Sequence, residues 1–199
     1  VLNVIGLISS LISDPVGGQT LESLVNVVLA ERYAARDDEP RSPGEVFGPT
    51  SLPPGNGTST EIAVAHEHAL AALLTIYGAI AAEAAQGRHL LGALGVRFAP
   101  RGTGALLGMN HSGMTMYVEI GSLQTLDGPW IFIGCWSALD LAGIPFTCDW
   151  GQQGGHTPVR ALRYFGANAI KWRFVRNLLL TPAARDVFPS KILATVRLD

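Results

Sequence analysis

A chain of 199 residues can bury one substantial core, yet only 15% of its side chains are charged, where about 25% is usual for a soluble domain. Its longest apolar stretches, residues 1–12 and 69–82, are broken by polar residues or glycine and fall short of the roughly 20 residues that span a bilayer, which excludes a membrane helix as the cause. Two explanations remain: a surface partly covered by other protein, since interface cores are depleted in Lys, Glu and Asp, or a plain Ala- and Gly-rich composition.

The first residue is valine, as expected of a processed chain or a fragment of a larger one. Residues 1–12 read as an apolar segment that packs, ended by Asp14-Pro15-Val16-Gly17-Gly18. They lack the basic lead and the small-x-small cleavage pattern of a signal peptide. Residues 20–35 carry Leu21, Leu24, Val25, Val28 and Leu29 at helical spacing, with Thr20 as a candidate cap. Residues 37–60 then hold five prolines and four glycines. A connection of that length is unusual inside a compact domain and reads as an extended arm or loop.

Thr58-Ser59-Thr60-Glu61 has the form of a capping box, predicting a buried central helix over about 59–86 that stops at Gly87. Val96-Arg97-Phe98 suggests a brief strand. Met114, Met116, Val118 and Ile120 alternate with Thr115, Tyr117 and Glu119 as a half-buried strand does. Residues 130–136 form a second apolar run, and Asp127-Gly128 before it suggests a hairpin, giving a small antiparallel sheet over about 113–136. Residues 140–154 read as a loop anchored by Phe146 and Trp150. Thr157-Pro158 starts a basic helix over about 157–180, bent near Gly166. Thr181-Pro182 opens a short turn, and residues 191–198 read as a closing strand. The expected fold is α+β and helix-dominated, as a single domain over 1–199 or a fragment of a larger chain.

No catalytic, metal or nucleotide motif is complete. His66-Glu67-His68 lacks the H-E-x-x-H spacing, and on a helix His66 and His68 diverge by about 200°. No G-x-S-x-G elbow and no phosphate-cradling glycine motif occurs. Cys135 and Cys148 match no zinc or redox spacing and are expected as two buried thiols. No cofactor is implied. A loop-built, hydrolase-like enzyme would draw on His111, Asp149 and His156. An oligomeric small-molecule-binding module would place its pocket under Trp130, Trp136 and Trp150.

Charge is sorted along the chain. Residues 1–60 carry seven acids and three bases, and residues 61–140 six and three; residues 141–199 carry eight bases and three acids. Arg160, Arg163, Lys171, Arg173 and Arg176 share the basic helix with no acid among them, interleaved with Tyr164, Phe165, Trp172 and Phe174. Arginines beside aromatics suit phosphates and bases. On a helical wheel, however, these cations surround the helix, which equally suits contact with acidic protein segments of this or another copy.

Low charge, a long Pro/Gly arm, sorted ends and missing site motifs together point to an assembly protein. In general character the chain is similar to the Ala/Gly/Pro-rich, largely helical capsid proteins of totivirus-like double-stranded RNA viruses. The resemblance covers composition and texture over the whole chain and carries over no functional residue. It implies a shell subunit, or a segment of one, in a virion. The arm at 37–60 would lie on a neighbouring copy or sister subunit, and the basic helix would face RNA or an acidic partner. Outside that reading, a cytoplasmic location is expected.

Overall fold

The computed structural model describes residues 57–199, except 103, 112, 124–126 and 188–189, together with residues 19–20, 23–24 and 26–27. The last six are helical, in keeping with the helix expected over 20–35. Most of the arm, residues 37–56, lies outside the described residues.

Four strands form one antiparallel sheet in the order β2-β3-β1-β4: β1 (Gly57–Ala65), β2 (Leu94–Ala99), β3 (Thr115–Leu123) and β4 (Phe146–Cys148). The register pairs Ile62 with Val118 and Val64 with Met116. On the other side of β1, Ile62 faces Cys148 and Val64 faces Phe146. Because successive side chains point to opposite faces, Ile62, Val64, Met116, Val118, Ile120, Phe146 and Cys148 share one face. They form the main core with α1 (Ala69–Ala84) and α2 (Asp127–Leu141). The opposite face carries Ala63 and Tyr117. It packs against Ala161, Tyr164 and Phe165 of α3 (Pro158–Phe165), Ala169 of α4 (Ala167–Leu179), and Val196 and Leu198 near the C-terminal end. The class is α+β.

Three expected elements change type, two of them before residue 142, and residues 146–148, expected within a loop, form β4. Residues 57–65 are a strand, so the helix begins at Ala69 rather than near 59, and the 58–61 motif caps nothing. Thr58, Thr60, Ile62 and Val64 favour extended backbone, and β1 finds hydrogen-bonding neighbours on both edges, which a helix would leave unpaired. The helix α1 is also covered on one side only. It buries Ala69, Ala72 and Ile76 and exposes Leu70, Leu74 and Tyr77. Residues 130–136, expected as a strand of a hairpin, belong to α2. There Ile131, Phe132, Cys135 and Leu139 recur at helical spacing and point into the core. A continuous apolar run does not by itself separate strand from buried helix.

The C-terminal third follows its local signals more closely. The Thr157 hydroxyl accepts the Arg160 N–H at 3.1 Å, with Pro158 in the first turn. The expected bend is a full break at Gly166, whose φ of +52° suits glycine, so the basic segment is the two helices α3 and α4. Thr181 caps α5 (Pro182–Val187) by accepting from the Ala184 N–H at 3.2 Å. The closing strand expected over 191–198 is instead α6 (Lys191–Thr195), capped by the Ser190 hydroxyl. The Ser190 hydroxyl satisfies the Leu193 N–H locally, and Val196 and Leu198 tuck into the second cluster.

Residues 91–93 continue the sheet beyond β2. Leu123 N–H donates to the Leu91 carbonyl at 2.9 Å, and Gly121 N–H to the Ala93 carbonyl at 3.0 Å. Between them, a Cβ on Gly92 would lie 1.9 Å from the Gly121 carbonyl oxygen. Gly92→Ala must therefore push two backbones apart and weaken both hydrogen bonds. Stability should fall by about 2–4 kcal/mol, read as a lower urea midpoint with unchanged slope. An unshifted midpoint would mean that the two backbones do not meet in this way.

Candidate interaction surface

A helix packed on a core turns its apolar stripe inward and its charges outward. The helix α4 departs from this. Ile170, Phe174 and Leu178, spaced four residues apart, are 64%, 63% and 69% exposed, and Leu179 is exposed beside them. The two residues that α4 buries are Ala169 and Arg176. On the other side of the molecule, α1 presents Leu70, Leu74 and Tyr77 outward, and α2 presents Trp130 and Ile133. Val96 and Phe98 of the edge strand β2 are exposed on the same sheet face as the α1–α2 layer. Covering one such aliphatic or aromatic side chain contributes roughly 1.5–3 kcal/mol.

The five cations singled out in the sequence do not make one surface. Arg160 turns to Asp140 of α2, donating from Nη2 at 2.6 Å and from Nε at 3.2 Å, and its guanidinium lies 4.7 Å over the Phe146 ring. Arg163 lies 3.8 Å from the same carboxylate. Arg176 is buried near the Trp172 ring. Only Lys171 and Arg173 of the five stand exposed without an ion pair among the described residues. The acidic partner of Arg160 and Arg163 is thus internal, joining α3 to α2 across the end of the sheet.

Asp149 and His156 meet in one loop, and His111 stands apart from them, without catalytic geometry. The His156 ring stacks on Trp150 at 4.7 Å, Trp150 stacks on Phe165 at 5.9 Å, and His111 lies 5.3 Å from Phe165. The two imidazoles thus sit at opposite ends of a run of rings. His156 Nε2 is 3.2 Å from the Asp149 main-chain carbonyl, which can only accept, so that nitrogen carries the proton. The Asp149 carboxylate accepts from the Gly151 N–H at 2.7 Å and orients neither histidine. Burial pushes both imidazoles below their usual pKa. This is a packing cluster.

His66-Glu67-His68 forms a single 3-10 turn, with His66 exposed and edge-on to Phe98 rather than on a buried helical stripe. Among the described residues, no group of three metal-ligating side chains converges. Cys135 and Cys148 are free and buried in the main core, as expected. Burial pushes their thiols up to about 12 and about 11, which leaves them inert as nucleophiles. Trp130, Trp136 and Trp150 do not share a pocket. Trp130 faces outward and Trp136 packs on the main core, while Trp150 joins Trp172, Leu106, Leu107, Ile192 and Leu193 around an apolar cavity of about 550 Å³.

One ionic feature was hidden in the sequence. Glu61 and Glu119 are directly opposed on β1 and β3, an unfavourable cross-strand pair. Arg97 reaches from β2 across β3, with its guanidinium 4.9 Å over the Tyr117 ring, and donates to Glu61 Oε1 from Nε at 2.9 Å and Nη2 at 2.5 Å. Glu61 is buried, and desolvation holds its pKa above the usual carboxylate value despite Arg97. No local pattern announces a pair made through sheet register.

No helix among the described residues is long and apolar enough to cross a membrane. No protein-family model matches the chain, and no curated protein matches it.

Proposed function

We propose that this chain is an assembly protein, a subunit or a segment of a subunit of a capsid shell of the totivirus-like double-stranded RNA type. Copies of the chain or sister subunits cover the outward apolar stripes of α4, α1 and α2. The observation that carries the reading is the apolar stripe of α4, which exposes Ile170, Phe174 and Leu178 while Arg176 is buried. The scarcity of charge over the whole chain supports it, because a surface covered by protein needs less hydration. RNA or an acidic partner would meet the exposed Lys171 and Arg173; Arg160 and Arg163 are engaged with Asp140.

The test is size-exclusion chromatography with light scattering on the full parent protein at micromolar concentration. Particles are expected, closed and of uniform diameter by electron microscopy. Phe174→Asp combined with Leu178→Asp should shift them to smaller species while leaving the circular dichroism unchanged. A well-behaved monomer overturns the assembly reading, and the cover would then have to come from residues 1–56. Small open oligomers overturn the shell and leave a non-viral assembly.

A further inference from the structure

A cavity of about 630 Å³ lies between α4, α5 and α6. Its lining includes Arg176, Arg185 and Lys191, with the Ser190 hydroxyl and one carboxylate, that of Asp199. Three cations around one hollow repel one another, yet none of the ion pairs formed by the described residues involves any of them. Arg185 is held in place by donating from Nη1 to Asn177 Oδ1 of α4 at 2.8 Å, a neutral acceptor that brings no countercharge. Arg176 is only 9% exposed, and its buried Nη1 has no hydrogen-bond partner.

A buried guanidinium nitrogen without an acceptor is costly, and such a group is ordinarily matched by an anion. A ring of fixed N–H donors in a hollow is the arrangement that recognises tetrahedral oxyanions, with arginine supplying the fork geometry. Ser190 accepts from the Leu193 N–H through its oxygen, so its O–H remains free to donate into the same space.

We propose that this cavity is a phosphate-binding site, in which Arg176, Arg185, Lys191 and Ser190 hold a phosphate group. The site lies within one chain and does not depend on assembly or on the viral reading. The group could be free inorganic phosphate or a phosphate of an RNA backbone, two sources with the same chemistry.

The experiment titrates the full chain with inorganic phosphate by calorimetry, and with a fluorescent single-stranded RNA by anisotropy at several salt concentrations. Arg185→Gln and Lys191→Gln are each expected to weaken phosphate binding about tenfold. Neither residue is deeply buried, so both variants should fold; Arg176→Gln changes a buried side chain and is compared only if its circular dichroism is unchanged. Arg101→Gln removes the same charge from an exposed position outside the cavity and should leave phosphate binding intact. If RNA is the source, phosphate competes with it, and Lys191→Gln lowers the salt slope by about one. If phosphate binds and RNA does not compete, free phosphate is the source. The proposal fails if millimolar phosphate produces no binding, or if Arg101→Gln weakens binding as much as the cavity variants, which would show a net-charge effect.

Discussion

Phe132→Ala should destabilise the fold by about 3–5 kcal/mol, the cost of removing a fully buried aromatic ring and leaving a cavity. Phe132 has no exposed surface and stands in α2 among Ile131, Cys135 and Leu139, directly over the sheet. Its ring also meets that of Trp136 at 6.5 Å, a contact beyond plain area burial. For a chain of this size such a loss corresponds to a fall in Tm of roughly 6–20 °C. Variant and wild type are to be compared at the same protein concentration, since assembly would add to apparent stability. The neighbouring Ile133→Ala is the control, because Ile133 is exposed on the outer side of the same helix. The pair also tests the element itself. In a strand, positions 131 and 133 would share a face and 132 would oppose them; in the helix, 131 and 132 are buried and 133 is not. Equal losses for Ile131→Ala and Ile133→Ala would contradict α2.

The second large effect lies at the Glu61–Arg97 pair, and it is asymmetric. Arg97→Ala should cost about 2–4 kcal/mol near neutral pH, because it strands a buried carboxylate. The figure sits towards the low end for broken buried pairs, since the Arg97 side chain is largely exposed and water can partly replace it. Glu61→Gln should cost much less, as the arginine it frees already meets solvent. The double variant should recover most of the loss of Arg97→Ala.

The pH dependence has a definite sign. The folded-state pKa of Glu61 is raised above 4.5, chiefly by burial, so folding favours its protonated form. Its contribution is therefore most favourable below the unfolded value, declines as pH rises from there to the folded value, and is flat above. Removing Arg97 removes the two influences that hold the pKa down, its hydrogen bond and its charge. The decline should then be deeper and extend to higher pH. Urea denaturation between pH 4 and pH 8 reads this directly. A variant whose stability rose across that range, or followed the wild-type profile, would mean that Glu61 is not carrying the buried charge.

The inward turn of Arg160, Arg163 and Arg176 shows where reading the chain alone stops. Their positions along α3 and α4 are visible in the sequence, and so is the lack of any acid beside them. The carboxylate that binds Arg160 and Arg163 belongs to α2 and reaches them only when the helices pack across the sheet. The apolar spacing of Ile170, Phe174 and Leu178 was equally visible. Its outward direction was not, because a stripe predicts a buried face without saying what buries it. Asp149 and His156 meet in one loop, but the Asp149 carboxylate accepts from the Gly151 backbone amide instead of from the imidazole, and His111 stands two rings away.

What the sequence determined by itself is local. It marked strands at 96–98 and 114–120, within the observed 94–99 and largely within 115–123, the Thr157 cap, a bend near Gly166, the end of α1 before Gly87, the two buried thiols and the scarcity of charge. Each depends on side-chain alternation, a capping hydroxyl, a permitted φ or simple burial, all properties of a few consecutive residues. Only the tertiary structure decided that 57–65 is a strand and that 130–136 lies in a helix. Both segments are apolar enough for either state, and the choice turns on hydrogen-bond partners distant in sequence. β1 pairs with β3 in a register from Gly57–Leu123 to Ala65–Thr115 and with β4 on its other edge, leaving residues 127–141 to satisfy their own backbone as a helix above the sheet.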